Sequence, residues 1–136
     1  SRWDADVKAK LRPSDGAADD YFGASVSLSG ATALVGAYGD DDMGSDSGSA
    51  YIFVAADATD LGGAWVEGGK LVPSDGAAYD YFGASVSLSG ATALVGAYED
   101  DAKGSESGSA YIFVASDATD LGGAWVEGAK LVPSDG

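Results

Sequence analysis

Hydrophobic positions in this chain recur with the period of a pleated strand. In residues 24–29, Val26 and Leu28 alternate with Ser25, Ser27 and Ser29, which makes one side of the segment apolar and the other polar. Ser29-Gly30-Ala31 then supplies a tight turn. Residues 32–37 are small and apolar on both sides, the pattern of a strand covered twice. In residues 49–55, Ala50, Ile52 and Val54 share one face and Tyr51 and Phe53 the other, so this strand also reads as buried on both sides. Residues 64–72 carry Trp65, Glu67 and Lys70 and are the most polar of the four. Pro73 suits the end of that strand or an exposed edge, where no ladder donor is lost. A loop rich in Gly, Asp and Ser fills 38–48, and a second loop fills 57–63.

No segment carries a helical period, and the alanine-rich parts are short and full of Ser, Thr and Gly. The whole pattern then returns. Residues 17–76 and 77–136 differ at seven of 60 positions: Asp19/Tyr79, Gly39/Glu99, Asp42/Ala102, Met43/Lys103, Asp46/Glu106, Ala56/Ser116 and Gly69/Ala129. Four of these fall in 39–46, which therefore reads as a solvent loop whose changes touch no packing. Before the first copy, Trp3 and the run from Lys10 to Gly16 echo Trp65 and the run from Lys70 to Gly76, as does the end of the chain from Trp125. Trp…Pro-Ser-Asp-Gly thus occurs three times, the rest of the unit twice. The expected fold is all-β: two four-stranded β-propeller blades, at 17–76 and 77–136, with residues 1–16 as a partial blade supplying an extra outer strand and connector. Inner strands should be crowded and the outer strand wet.

Composition narrows the function. With 46% apolar residues the chain is too hydrophobic for disorder, and 21 glycines fit short strands broken by tight turns. A net charge of −15 argues against nucleic acid or an anionic membrane surface as partner and favours solubility, with affinity for cations as the sharper alternative. No apolar run reaches membrane-spanning length, so no membrane insertion is expected. Cys, His, Asn and Gln are absent, which excludes Ser-His-Asp and Cys-His catalysis, imidazole ligation and disulfides.

The residues Phe22-Gly23 followed by Gly36-Ala37-Tyr38, and Phe82-Gly83 followed by Gly96-Ala97-Tyr98, resemble the FG-GAP repeat. The Leu-Val-Gly-Ala core, the Gly-Ser-Ala-Tyr-Ile-Phe strands at 48–53 and 108–113 and the Lys-Leu-Val-Pro-Ser-Asp-Gly-Ala-Ala connector are similar to it as well. That family builds the blades of integrin α-subunit propellers and of many bacterial and archaeal extracellular proteins. The resemblance implies a propeller, an extracellular or cell-surface setting and an adhesive role. Tyr38 and Tyr98 stand where the family has proline. The family's Asp-rich calcium loop between the first two strands is replaced here by Ser-Gly-Ala-Thr at 29–32 and 89–92, so that calcium site does not carry over.

Cation chemistry has one remaining candidate. Asp40, Asp42 and Asp46 alternate around Gly44, and the second copy offers Asp100 and Glu106 but Ala102. Calcium needs six or more oxygens gathered by a bend, so these five residues are a candidate weak site within what otherwise reads as a solvated acidic loop. Asp15, Asp19, Asp20, Asp75 and Asp80 follow the Pro-Ser turns and read as Asx-turn residues bonded to nearby amides. Trp3, Trp65 and Trp125 with Tyr21, Tyr38 and Tyr51 read as packing between blades, with a carbohydrate-stacking surface as the alternative. No catalytic or cofactor-binding residue stands out, and no enzyme is expected.

Two blades leave outer faces uncovered, with Ile52 or Phe113 expected in water. Because a propeller closes with about four to eight blades, three or four chains should join head to tail, with a filament as the open variant. In such a ring residues 3–13 and 125–133 of successive chains would compete for one outer position. The expected function is a non-enzymatic structural or adhesive module with itself as partner; the alternative is a ligand-binding propeller taking calcium or carbohydrate.

Overall fold

A computed structural model describes residues 9–17, 19–41, 45–100 and 108–132. Eight strands form two antiparallel meanders: β1 (Ser25–Ser29), β2 (Thr32–Ala37), β3 (Ser49–Ala55) and β4 (Trp65–Leu71) make blade 1. Blade 2 holds β5 (Phe82–Ser89), β6 (Thr92–Ala97), β7 (Ser109–Ala115) and β8 (Trp125–Leu131). Strand limits depart from those expected of the sequence by two residues at most, the largest departure being β5, which starts at Phe82. The described part of the N-terminal segment, 9–17, joins neither sheet; the rest of that segment lies outside the described residues. Among the described residues no helix is long and apolar enough to cross a membrane.

Pairing of Leu34 with Ile52, and of Val35 with Tyr51, fixes which side chains share a face. We call the side bearing Ala33, Val35, Tyr51 and Phe53 the front, and the side bearing Leu34, Ala50 and Ile52 the back. Opposite Ile52, β4 spends two residues, Gly68 and Gly69, in a bulge between the pairs Tyr51–Lys70 and Phe53–Glu67. Residues three apart on a regular strand point to opposite sides. The extra residue therefore turns Glu67 and Lys70 both to the front, and β8 repeats the device at 127 and 130.

The back of blade 1 packs on the front of blade 2. Leu34, Ala50, Ile52 and Leu71 meet Phe82, Leu88, Val95, Tyr111 and Phe113 in one continuous core. Phe82 is the wedge, fully buried and edge-on to Tyr111 and Phe113 at 5.4 and 5.8 Å. Gly83 follows at φ 95°, where a side chain would be strained and would run into the Ser49 carbonyl. The serines of β1 finish the joint: Ser25 Oγ donates to Gly83 O at 2.6 Å, and Ser27 Oγ and Ser29 Oγ accept from the amides of Leu88 and Gly90.

Two expectations need correcting. Ile52 and Phe113 are buried, because both belong to the joint between the blades. The apolar side left in water is the back of blade 2, with Leu94, Val114 and Leu131. Nor is the first strand the crowded one: Val26 and Leu28 are about two-thirds exposed, while β2 is buried throughout. They lie on the front of blade 1, which no blade of this chain covers; their counterparts Val86 and Leu88 pack against blade 1.

Candidate functional site

On the front of each blade, at its outer edge, the bulge gathers a polar clamp. In blade 1 the Lys70 ammonium bridges two carboxylates, Asp15 at 2.5 Å and Asp40 at 2.9 Å, and lies 5.1 Å above the Tyr51 ring. The Tyr51 hydroxyl donates to Asp15 Oδ1 at 2.7 Å, and Ser49 Oγ donates to Asp40. Glu67 completes the set by receiving the Ser14 amide at 2.8 Å and the Ser14 hydroxyl at 3.3 Å. Blade 2 repeats every contact one unit later. Asp75 bonds Tyr111 and Lys130, Ser74 bonds Glu127, and Lys130 reaches Asp100. What the clamp holds is thus the Ser-Asp of the connector arriving from the preceding unit.

The electrostatics fit holding rather than reacting. Hydrogen bonds from Lys70 and then Tyr51 hold the Asp15 carboxyl below its ordinary range. At Asp75 burial pushes upward, but the bonds from Lys130 and Tyr111 win and the carboxyl again sits low. Burial, then the neighbouring Asp15 or Asp75, drives the Tyr51 and Tyr111 hydroxyls well above the usual phenol range, so both stay protonated donors. The Lys130 ammonium is likewise held charged: burial opposes this, and Asp75 and Asp100 overcome it. Carboxylates neutralised by a lysine, beside a phenol that keeps its proton, make a recognition site for a hydroxyl-carboxylate pair.

The residues picked out in the sequence fall in several places. Asp40 and Asp100 are buried and turned inward to Lys70 and Lys130. Asp46 is half-buried in a left-handed turn (φ 53°), with its amide donating to Asp41. Asp42 and Glu106 lie outside the described residues, and among the described residues no three acidic side chains converge as a metal group. Nor is 39–46 merely a solvent loop. The carbonyls of Ser45, Asp46 and Ser47, at its end and just beyond, accept from the amides of Tyr79, Tyr81 and Phe82, tying it to blade 2. Asp20 and Asp80 do bond nearby amides, those of Ala17 and Ala77. Asp15 and Asp75 do not follow that pattern, since their partners are distant side chains.

Among the aromatics, Tyr51 is fully buried and Trp125 packs at the edge of the joint between blades; Trp3 lies outside the described residues. The exposed set is a column: Tyr21 stacks on Tyr38 at 5.1 Å, Tyr38 meets Tyr81 at 5.8 Å, and Tyr81 stacks on Tyr98 at 5.6 Å. Tyr21 on Tyr38 and Tyr81 on Tyr98 are face to face, Tyr38 meets Tyr81 edge-on, and Tyr21 and Tyr98 end the column more than half exposed.

The FG-GAP repeat family model matches residues 6–53 and 65–113. The chain belongs to the FG-GAP repeat family. No curated protein matches it. The FG-GAP repeat is a non-catalytic propeller module common in extracellular proteins. The second matched stretch runs from Trp65, the start of β4, across the Pro-Ser-Asp-Gly connector to Phe113 in β7, and the first ends likewise in β3, at Phe53. The FG-GAP unit of sequence is therefore offset by one strand from the blade, and the clamp is where that offset is made fast. Reading the sequence missed the clamp, because Glu67 and Lys70 fall on opposite faces until a bulge is known. Gly68, with Gly128 in the same place in the second copy, was the available signal.

Proposed function

We propose that this chain is a non-enzymatic FG-GAP module of an extracellular or cell-surface structure, adhesive in role, which assembles head to tail with copies of itself. The observation that carries this is a mismatch between equivalent faces. The back of blade 2 has the same apolar residues as the back of blade 1, yet Leu94 and Leu131 are 38% and 48% exposed where Leu34 and Leu71 are 0% and 2%. On the front of blade 1, Ala9, Leu11, Leu28, Ala33, Leu61 and Trp65 line an open groove of about 330 Å³. Its counterpart in blade 2 is filled: Leu88 and Ala93 are buried, and Val54 of blade 1 lies against Gly122. Val114 of a second copy stands in the place of Val54 and fits the groove. The tyrosine column supports the same register, since Tyr98 of one copy would meet Tyr21 of the next as Tyr38 meets Tyr81.

Such contacts are heterologous and close into a ring or run on as a filament. Closure at about six or eight blades takes three or four chains. A net charge of −15 on each chain opposes association, so added salt should strengthen it. Light scattering at micromolar concentration tests the reading. The expected species exceeds the 13.5 kDa of one chain, and Leu94→Glu returns it to a folded monomer by circular dichroism. A wild-type monomer with a cooperative melt at every concentration and salt would overturn it.

A further inference from the structure

Each clamp holds a Ser-Asp pair that comes from the unit before it, and a third such pair, Ser134-Asp135, follows blade 2. Residues 13–16 occupy the clamp of blade 1, and residues 73–76 that of blade 2. Residues 130–136 repeat 70–76 letter for letter. In head-to-tail contact the segment 133–136 arrives at blade 1 of the next copy just as 73–76 arrives at blade 2. There it finds residues 13–16 of that copy in place. We infer that the front edge of blade 1 is an exchangeable binding site for a Pro-Ser-Asp-Gly segment, and that residues 13–16 are a built-in competitor for residues 133–136 of another copy.

The chemistry that recognises the segment is already laid out. The Glu67 carboxylate takes the serine amide and hydroxyl, and Lys70 with Tyr51 takes both aspartate oxygens. Competition follows from linkage. A tethered segment acts at an effective concentration of roughly millimolar, so it holds off an incoming one of equal chemistry until that one is delivered by a docked blade. The exchange rests in part on the self-assembly reading, whereas the clamp as a peptide site does not.

The probe is a synthetic peptide with the sequence of residues 129–136, titrated by NMR into the full chain. Ser14→Ala/Asp15→Asn, which weakens the competitor, is expected to bind it about tenfold tighter than the wild type, the worth of the lost charge-assisted bonds. A peptide with Asn at the place of Asp135 should lose about tenfold on that variant. Equal binding of the two peptides, or equal binding to the two chains, overturns the inference. Should the double variant fail to fold, Asp135→Asn in the full chain decides: it should weaken association about tenfold and leave the melting temperature of the dilute chain unchanged. Unchanged association would overturn the exchange. Peptide binding as described by a chain that stays monomeric removes the self-assembly reading alone; association without peptide discrimination removes the clamp alone.

Discussion

Blade 1 and blade 2 are the same strand pattern in two environments, and almost every difference between them is a difference of neighbour. Leu28 is 65% exposed and Leu88 7%, with the same residues around each in sequence. Phe22 is half-buried and Phe82 fully buried, although each meets its own blade's tyrosine edge-on at 5.4 Å. What a blade contributes by itself is the meander, the bulge and the clamp, all of which recur unchanged. What it cannot supply is cover for both faces. A repeat of this kind is thus stabilised in two currencies, one inside the unit and one at the joint, and the chain displays a joint that is made beside a joint that is open.

The largest effect should separate the two. Leu34→Ala removes a fully buried side chain from the joint and should cost about 2–5 kcal/mol. Leu94→Ala makes the same change at a position that already meets water, and in dilute solution should cost less than about 1 kcal/mol. Urea denaturation below the concentration of association measures both. Equal losses would mean that the back of blade 2 is covered within the single chain, and the comparison would collapse.

Acid tests the contribution made inside the unit. The Asp75 carboxyl sits below its ordinary 3.8, burial pushing it up and the bonds from Lys130 and Tyr111 pulling it further down. Asp100 is also lowered: burial opposes, and Ser109 and Lys130 prevail. A carboxyl lowered by folding adds stability that is complete above 3.8 and disappears as pH falls below it through the native value. Asp20 runs the other way, since burial raises it, and its protonation in acid relieves a penalty. The difference in melting temperature between wild type and Asp75→Asn should therefore be present at about pH 6 and vanish near pH 2. A gap that survives at the acid end would assign the loss to shape rather than to charge.

The architecture was legible because it is local. Alternation in 24–29, the doubly apolar runs at 32–37 and 49–55 and the turn residues between them fix strands within a residue or two. The identity of the repeats fixes how often they recur. Which face turns to which neighbour was not legible. Ile52 and Phe113 look alike as apolar strand residues, and only the handed stacking of blades puts both into the joint. Nor was the clamp, because it draws Asp15, Asp40, Tyr51, Glu67 and Lys70 from four separate segments. The alternation rule sends Glu67 and Lys70 apart unless the two residues opposite Ile52, the first of them glycine in both copies, are recognised as a bulge. The partner of Asp40 was hidden for a related reason. An acidic run reads as solvent-facing or metal-binding, and this member of it is neutralised by a lysine thirty residues away in sequence.

The smallest effect is the sharpest, because it isolates one hydrogen bond of the joint. Ser25 Oγ donates to Gly83 O where the two backbones come too close for a side chain at Gly36. Removing the hydroxyl leaves that carbonyl buried without this donor, which should cost about 0.5–1.5 kcal/mol in Ser25→Ala. Ser85 occupies the same place over Gly96, but no blade stands opposite and the residue is exposed. Ser85→Ala should then leave the stability of the dilute chain unchanged within a few tenths of a kcal/mol. At concentrations where copies associate the roles change. Ser85 would then face Gly23 of the next copy, the counterpart of Gly83 and exposed in the single chain. The same substitution should weaken association several-fold, the size of one ordinary hydrogen bond. A Ser85→Ala chain that associates as tightly as the wild type would show that copies do not meet in the register of the internal joint, however large their assemblies.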